Sequence, residues 1–216
     1  MPQPLGTRTV GDVITWVTEQ FGDVANVQID TPKIIRWTNM AILEICTRDS
    51  KAYQGKFTMS SVIGTGEYTY PSNLIHITMV KWGTTVMRPI SFELIQQETD
   101  SAFSTEQGEP RYWSHQANLF QLWPVPNSAV TISLYGTAKP ADVTVAADLL
   151  PLPDKYFPLI CAYVHSCAME LDEDQEGSAA KRSLFEDQIK IGQNSSDAML
   201  GLYPVLTDPE VEWDAY

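Results

Sequence analysis

The residues best equipped for nucleophilic, acid–base or metal chemistry are three histidines, His76, His115 and His165, and three cysteines, Cys46, Cys161 and Cys167. Cys161 and His165 are four apart, so on a helix they share one face. That pair supplies two of the four ligands a zinc site ordinarily takes, and Cys167 falls off that face, so a packed Cys/His pair is the expectation. His76 alternates with strand residues and reads as a sheet-face side chain. His115 follows Trp113 and Ser114 near a turn and reads as solvated. No Gly-x-Ser-x-Gly elbow or Cys–His signature surrounds any of them. The acidic run Glu170, Asp172, Glu173, Asp174 and Glu176 lacks the alternating ligands, central glycine and closing glutamate of a calcium loop, and reads as a solvated helix break. Gly64-Thr65-Gly66 lacks the Lys-Ser/Thr of a phosphate loop and reads as a turn. Carboxylate pairs for glycoside hydrolysis have no feature that selects them. The expectation is a chain without catalytic residues, metal ligands or a cofactor site.

The elements that would position these residues run helix, strand, helix. Thr9 caps a first helix with Asp12 three residues on, and Val10, Val13, Ile14, Val17 and Phe21 form its apolar stripe. Thr31-Pro32 is a cap and first-turn proline opening a second helix to about Asp49, with Ile34, Ile35, Thr38, Ala41, Ile42 and Ile45 along it. Trp37 widens that stripe.

From about Tyr53 to Lys139 the period changes to two. Phe57, Met59 and Ile63 alternate with Lys56, Thr58 and Ser60, then Tyr68 and Tyr70 form a short strand. Ile75, Ile77 and Met79 share a face, and Gly83-Thr84 turns the chain into Thr85–Arg88. Ser91 caps a short helix from Phe92 to about Thr99, and 100–110 reads as loop. An aromatic hairpin follows at 108–126, turning at Gln116-Ala117-Asn118. Pro124 and Pro126 cannot donate to a ladder, so its second strand ends near Trp123. Val130, Ile132 and Leu134 supply the last strand. A stretch rich in Ala, Asp, Leu and Pro at 140–153 links to a helix with Tyr156, Leu159, Ile160, Tyr163, Val164, Cys167, Ala168 and Leu171 on its apolar face. A second helix over about 178–192 turns Leu184, Phe185 and Ile189 inward.

These segments give an α+β fold: a helical bundle formed by the N- and C-terminal helices, with a small antiparallel β domain inserted. The expected divisions are 1–52 for the first helices, 53–139 for the β domain, 140–200 for the last helices and 201–216 for an extended C-terminal arm. Two isolated helix pairs would each leave an apolar face wet, and packing them together buries both, at about 25 cal/mol per Å² of apolar surface.

The chain has 216 residues and a formal net charge of −13. The charge is uneven: residues 1–100 hold 8 Lys/Arg and 10 Asp/Glu, residues 101–216 hold 6 and 17. An acidic C-terminal half argues against a surface that grips duplex DNA. No run approaches a membrane span, and Arg8 alone with no apolar core does not make a signal peptide, so synthesis in the cytoplasm and no membrane partner are expected. Three cysteines, an odd number, read as buried thiols in a reducing compartment.

Gly-Glu-Pro-Arg-Tyr-Trp at 108–113, Leu-Phe-Gln-Leu-Trp-Pro-Val-Pro at 119–126, the strand through Leu134-Tyr135, and Leu-Pro-Leu-Pro-Asp-Lys-Tyr at 150–156 occur in this order. With Trp37-Thr38-Asn39 in the second helix, this order resembles the head-to-tail adaptor proteins of tailed bacteriophages, including the tail tubular protein A type, from about Thr31 to Ile191. The resemblance implies a structural protein of the virion neck and tail. Twelve copies would form a ring beneath the portal, meeting a tail nozzle or tube protein below. Double-stranded DNA would pass through the lumen without specific binding. It further implies that the C-terminal arm docks on the portal, carried over by position to Leu202–Tyr216.

That arm also stands out on composition. Leu202, Tyr203, Pro204, Val205, Leu206, Trp213 and Tyr216 are apolar or aromatic, with Val211, and are spaced by Asp208, Glu210, Glu212 and Asp214 without a basic residue. Tyrosine and tryptophan are enriched as interface anchors, and an extended arm that orders on a partner fits them. The alternative class is a tail-associated carbohydrate- or cell-wall-binding β module using Tyr68, Tyr70, Tyr112 and Trp113. Against it stands sheet core and cross-strand pairing for the same aromatics.

Overall fold

A computed structural model describes residues 6–23, 28–92, 106–116 and 119–201, with the backbone alone for 192–201. Among the described residues, four α-helices and nine strands make an α+β protein. Helix α1 (Val10–Phe21) begins with the expected capping box: Asp12 N–H donates to the Thr9 hydroxyl at 3.2 Å, and Thr9 N–H donates to the Asp12 carboxylate at 2.8 Å. It ends at Gly22, whose φ of 78° is the left-handed cap conformation glycine adopts without a Cβ clash. Helix α2 (Thr31–Arg48) carries Pro32 in its first turn, but the cap position falls on Asp30 rather than Thr31, and Asp30 makes no side-chain cap bond.

Helices α3 (Phe157–Leu171) and α4 (Gln175–Gly201) form an antiparallel pair. The turn between them is the acidic break. Asp172, Glu173 and Asp174 are exposed, Glu173 takes a φ of 62°, and the Asp174 carboxylate accepts Gly177 N–H at 2.9 Å, capping α4. Helix α4 is longer than its apolar period indicates, starting at Gln175 and running to Gly201. All four helices feed one hydrophobic cluster. Val13 and Val17 of α1, Ile34 and Ile45 of α2, Ile160 and Val164 of α3, and Phe185 of α4 are among its fully buried members.

The stretch at 140–153 is not a free linker. Val143, Leu150 and Leu152 are buried in the helical cluster. Its backbone straps the start of α1, with Val10 N–H donating to Asp148 O at 3.0 Å and Gly11 N–H to Ala146 O at 2.8 Å. The Asn39 side chain of α2 bonds Val143 N–H and O, both at 2.9 Å. At the far end of α2, the Tyr156 hydroxyl donates to the buried Asp49 carboxylate at 2.6 Å, and Arg48 bridges Glu44 and Glu186. Burial and that bond push the Tyr156 phenol well above its ordinary range.

Seven strands form one sheet in the order β1-β9-β3-β4-β6-β7-β2: β1 (Gln54–Ser60), β2 (Glu67–Thr69), β3 (Leu74–Trp82), β4 (Thr85–Pro89), β6 (Tyr112–Gln116), β7 (Leu119–Trp123) and β9 (Thr131–Ala138). The short pair β5 (Gln107–Gly108) and β8 (Val125–Pro126) stands apart, so the described end of the expected 100–110 loop holds a strand. The expectation of an antiparallel unit fails at two places: β4 pairs with β6 in parallel, and so do β5 and β8. Parallel neighbours need a long crossover, and more than twenty residues separate β4 from β6. The sequence signal for strands is period two, which is blind to direction.

The sheet curls on itself. Its two halves share one cluster, in which Val80, Trp82, Ile132 and Leu134 meet Trp113, Phe120 and Leu122. The hydroxyl of Tyr68 on β2 pins the connection from β1 by accepting Val62 N–H at 3.1 Å and donating to Thr65 O at 2.7 Å. Along β3 the expected face of Ile75, Ile77 and Met79 is corrected to Leu74, Ile77, Val80 and Trp82. Register shifts at Leu74/His76 and Ile77/Met79 each break the alternation, and Ile75 packs on the helical cluster instead. Gly136 sits opposite, where a Cβ would lie 1.9 Å from His76 O. The β3–β9 approach therefore requires glycine there.

Candidate interaction surfaces

The chemistry-bearing residues do not converge. His76 and His115 are exposed on the sheet unit, whereas His165 is 2% exposed within α3. Cys161 is buried one turn from His165, and burial pushes its thiol up to about 12, far from a reactive thiolate. Cys46 is raised to about 12 for the same reason, and Cys167 is raised too. Neither ring nitrogen of His165 has a hydrogen-bond partner among the described residues, and the ring sits edge-on to Trp16 at 5.7 Å. Burial, then the Lys181 charge, lowers its pKa. Among the described residues no three His, Cys, Asp or Glu side chains gather as a metal site would need.

The aromatics that would form a ligand platform are largely spent on the sheet core. Trp113 is buried in it, and Tyr68 and Tyr70 pack against it from its edge. Tyr112 is half-buried and pairs across the hairpin with Trp123, ring centroids 5.6 Å apart.

Three surfaces remain. The first is a groove of about 370 Å³ along the outer face of α2, lined by Pro32, Ile35, Arg36, Met40, Leu43 and Lys139 among others. Met40 and Leu43 are 45% and 41% exposed, an apolar pair on the side of α2 opposite its buried stripe. The signal was in the sequence, since both lie off the Ile34–Ala41–Ile45 stripe at helical spacing.

The second surface lies along α4, where Ile189 is the last buried position among the described side chains and Ile191 is 67% exposed. The helix backbone continues ten residues beyond, to Gly201, about 15 Å at 1.5 Å per residue. The arm residues Leu202, Tyr203, Pro204, Val205, Leu206, Trp213 and Tyr216 lie outside the described residues, as does the expected helix beyond Phe92 and the hairpin turn at Ala117-Asn118.

The third surface was missed at the sequence level: the outer face of β1, β9, β3 and β4. Lys56 and Tyr135 are direct cross-strand partners, Lys81 stands beside Ser133 and Val86, and Arg88 is two residues beyond Val86. Inward neighbours Phe57, Leu134, Val80 and Met87 fix these side chains outward by alternation. The Lys56 and Lys81 ammoniums lie 5.6 and 5.7 Å from the Tyr135 ring centroid.

Comparison with known proteins gives one family. Residues 8–205 match the family model described as SU10 adaptor protein. No curated protein matches the chain.

Proposed function

The chain belongs to the SU10 adaptor protein family, whose model spans nearly all of it, and from that premise we propose that it is a head-to-tail adaptor of a tailed phage. It is made in the host cytoplasm and ends in the virion neck. There, copies form a ring, twelve in number, between portal and tail, around the channel DNA crosses during ejection. The family match carries the reading. The helix–sheet–helix order accords with it.

On this reading the four helices act as one bundle with the sheet unit inserted between α2 and α3. Their shared hydrophobic cluster supports that arrangement. Met40 and Leu43 along α2 supply apolar surface for a neighbouring subunit, since side chains this exposed gain by burial at about 25 cal/mol per Å². The segment Leu202–Tyr216 follows α4 directly and docks on the portal through Trp213 and Tyr216, while the sheet unit faces the tail nozzle or tube. Catalysis and cofactors have no part in this function. The carbohydrate-binding alternative loses ground because Trp113, one of its four aromatics, is 7% exposed.

Electron microscopy of the purified protein mixed with its portal tests the proposal. A ring seated on the portal is expected, and a strictly monomeric protein that ignores portal would refute it.

A further inference from the structure

The charge of this protein is segregated between its two hydrophobic units. Residues 6–49 and 142–201, which hold the helices, carry 8 Lys/Arg against 17 Asp/Glu. The described residues between 50 and 141 carry 6 against 3, the reverse sign in a chain of net −13. Residues 93–105, outside the described set, add three acids. Within the nine strands the single acidic residue is Glu67, on the edge strand β2 at the far side of the sheet from β1.

The cations concentrate on one face. Lys56, Lys81 and Arg88 point outward from β1, β3 and β4, and none forms an ion pair among the described residues, where the four salt bridges use Lys33, Arg48 and Lys139. Register puts Arg88 level with Met79 and Tyr135, three strands from Lys56. At about 4.8 Å per strand, that is a spread of about 14 Å. Tyr135 stands between the cations, and the exposed hydroxyls of Thr58, Ser60 and Thr131 continue the same face along β1 and β9.

We propose that this outer sheet face is the surface that meets duplex DNA, through the phosphate backbone. Three cations spread over about 14 Å suit phosphates on two sides of a groove about 12 Å wide better than one small anion. Hydroxyls and basic side chains are the groups that contact phosphate and sugar without reading sequence. An acidic peptide would seek apolar pockets for its side chains. This face has none among the described cavities, and Val86 is its one strongly exposed apolar residue. Three phosphate contacts per copy give weak, salt-sensitive binding, which lets DNA slide. The inference takes its setting from the adaptor reading, in which this face would line the channel, but the contact itself is tested on the protein alone.

The test is equilibrium binding of the full chain to a labelled random-sequence 30-base-pair duplex, followed by fluorescence anisotropy from 50 to 200 mM salt. At a slope of about −0.9 per contact, three contacts predict an affinity drop of about 40-fold over that range. The variant K56E/K81E/R88E should bind at least tenfold more weakly. A control with the same change in net charge, K33E/K155E/K190E, reverses exposed lysines of the helical unit and should stay within about threefold of the parent, because screening confines charge effects to about 10 Å. If the first variant fails to fold by thermal melting, K56Q/K81Q/R88Q replaces it. Equal losses in both triple variants, no loss in the sheet variant, or no duplex binding at 50 mM salt would overturn the proposal. So would a labelled peptide of residues 202–216 that binds this face when the duplex does not. Portal assembly of the same variants is scored separately, so a failed adaptor reading leaves the DNA result standing.

Discussion

At the residue scale the protein is held by a few buried polar contacts. Tyr156 and Asp49 join the start of α3 to the end of α2 through a 2.6 Å bond that is buried on both sides. Tyr156→Phe leaves the carboxylate without that donor and should cost about 1–3 kcal/mol in denaturant unfolding. Gly136→Ala places a methyl against His76 O and should cost about 1–3 kcal/mol, read the same way. His165 gives a pH dependence. Its folded pKa is depressed below the ordinary 6.5, so the unfolded chain binds the proton first. Its contribution is fully present above about pH 6.5 and falls away as the pH drops towards the folded pKa. His165→Leu should flatten that part of the stability–pH curve, and an unchanged slope just below pH 6.5 would contradict the assignment.

At the element scale, Met40 and Leu43 mark α2 as a contact element. Met40→Asp with Leu43→Asp should leave thermal stability within about 0.5 kcal/mol per site, because both are surface positions, and should abolish ring formation in native mass spectrometry. Truncation before Leu202 should leave the melting curve unchanged and weaken portal attachment. Undiminished portal affinity of the truncated chain would remove the arm from the account. Much of this level was legible in the sequence. The capping pair Thr9 and Asp12, the stripe of α2 and the stop at Pro124 each encode local geometry in adjacent residues. What escaped was non-local. The parallel β4–β6 pairing depends on a crossover whose direction alternation does not record. The two shifts in β3 invert its faces without changing its residue types. The strap at 142–152 is buried by contacts with α1 and α2, although its composition reads as a linker.

At the scale of the whole molecule, the fold separates an acidic helical unit from a sheet unit whose described residues carry more Lys and Arg than Asp and Glu. A division of the sequence into halves hid this, because the strands straddle residue 100 and their cations were averaged with acids of the helices. The outward row Lys56, Tyr135 and Arg88 exists only once β1, β9, β3 and β4 are ordered side by side. The same polarity fits an adaptor that presents different faces to portal, tail and DNA. The central claim is the ring on the portal, and the most direct measurement is cryo-electron microscopy of the full chain incubated with purified portal. The account predicts a closed ring of twelve copies seated on the portal, with density from the end of α4 reaching the portal surface. Portal particles that carry no added ring, beside a protein of monomer mass, would contradict it.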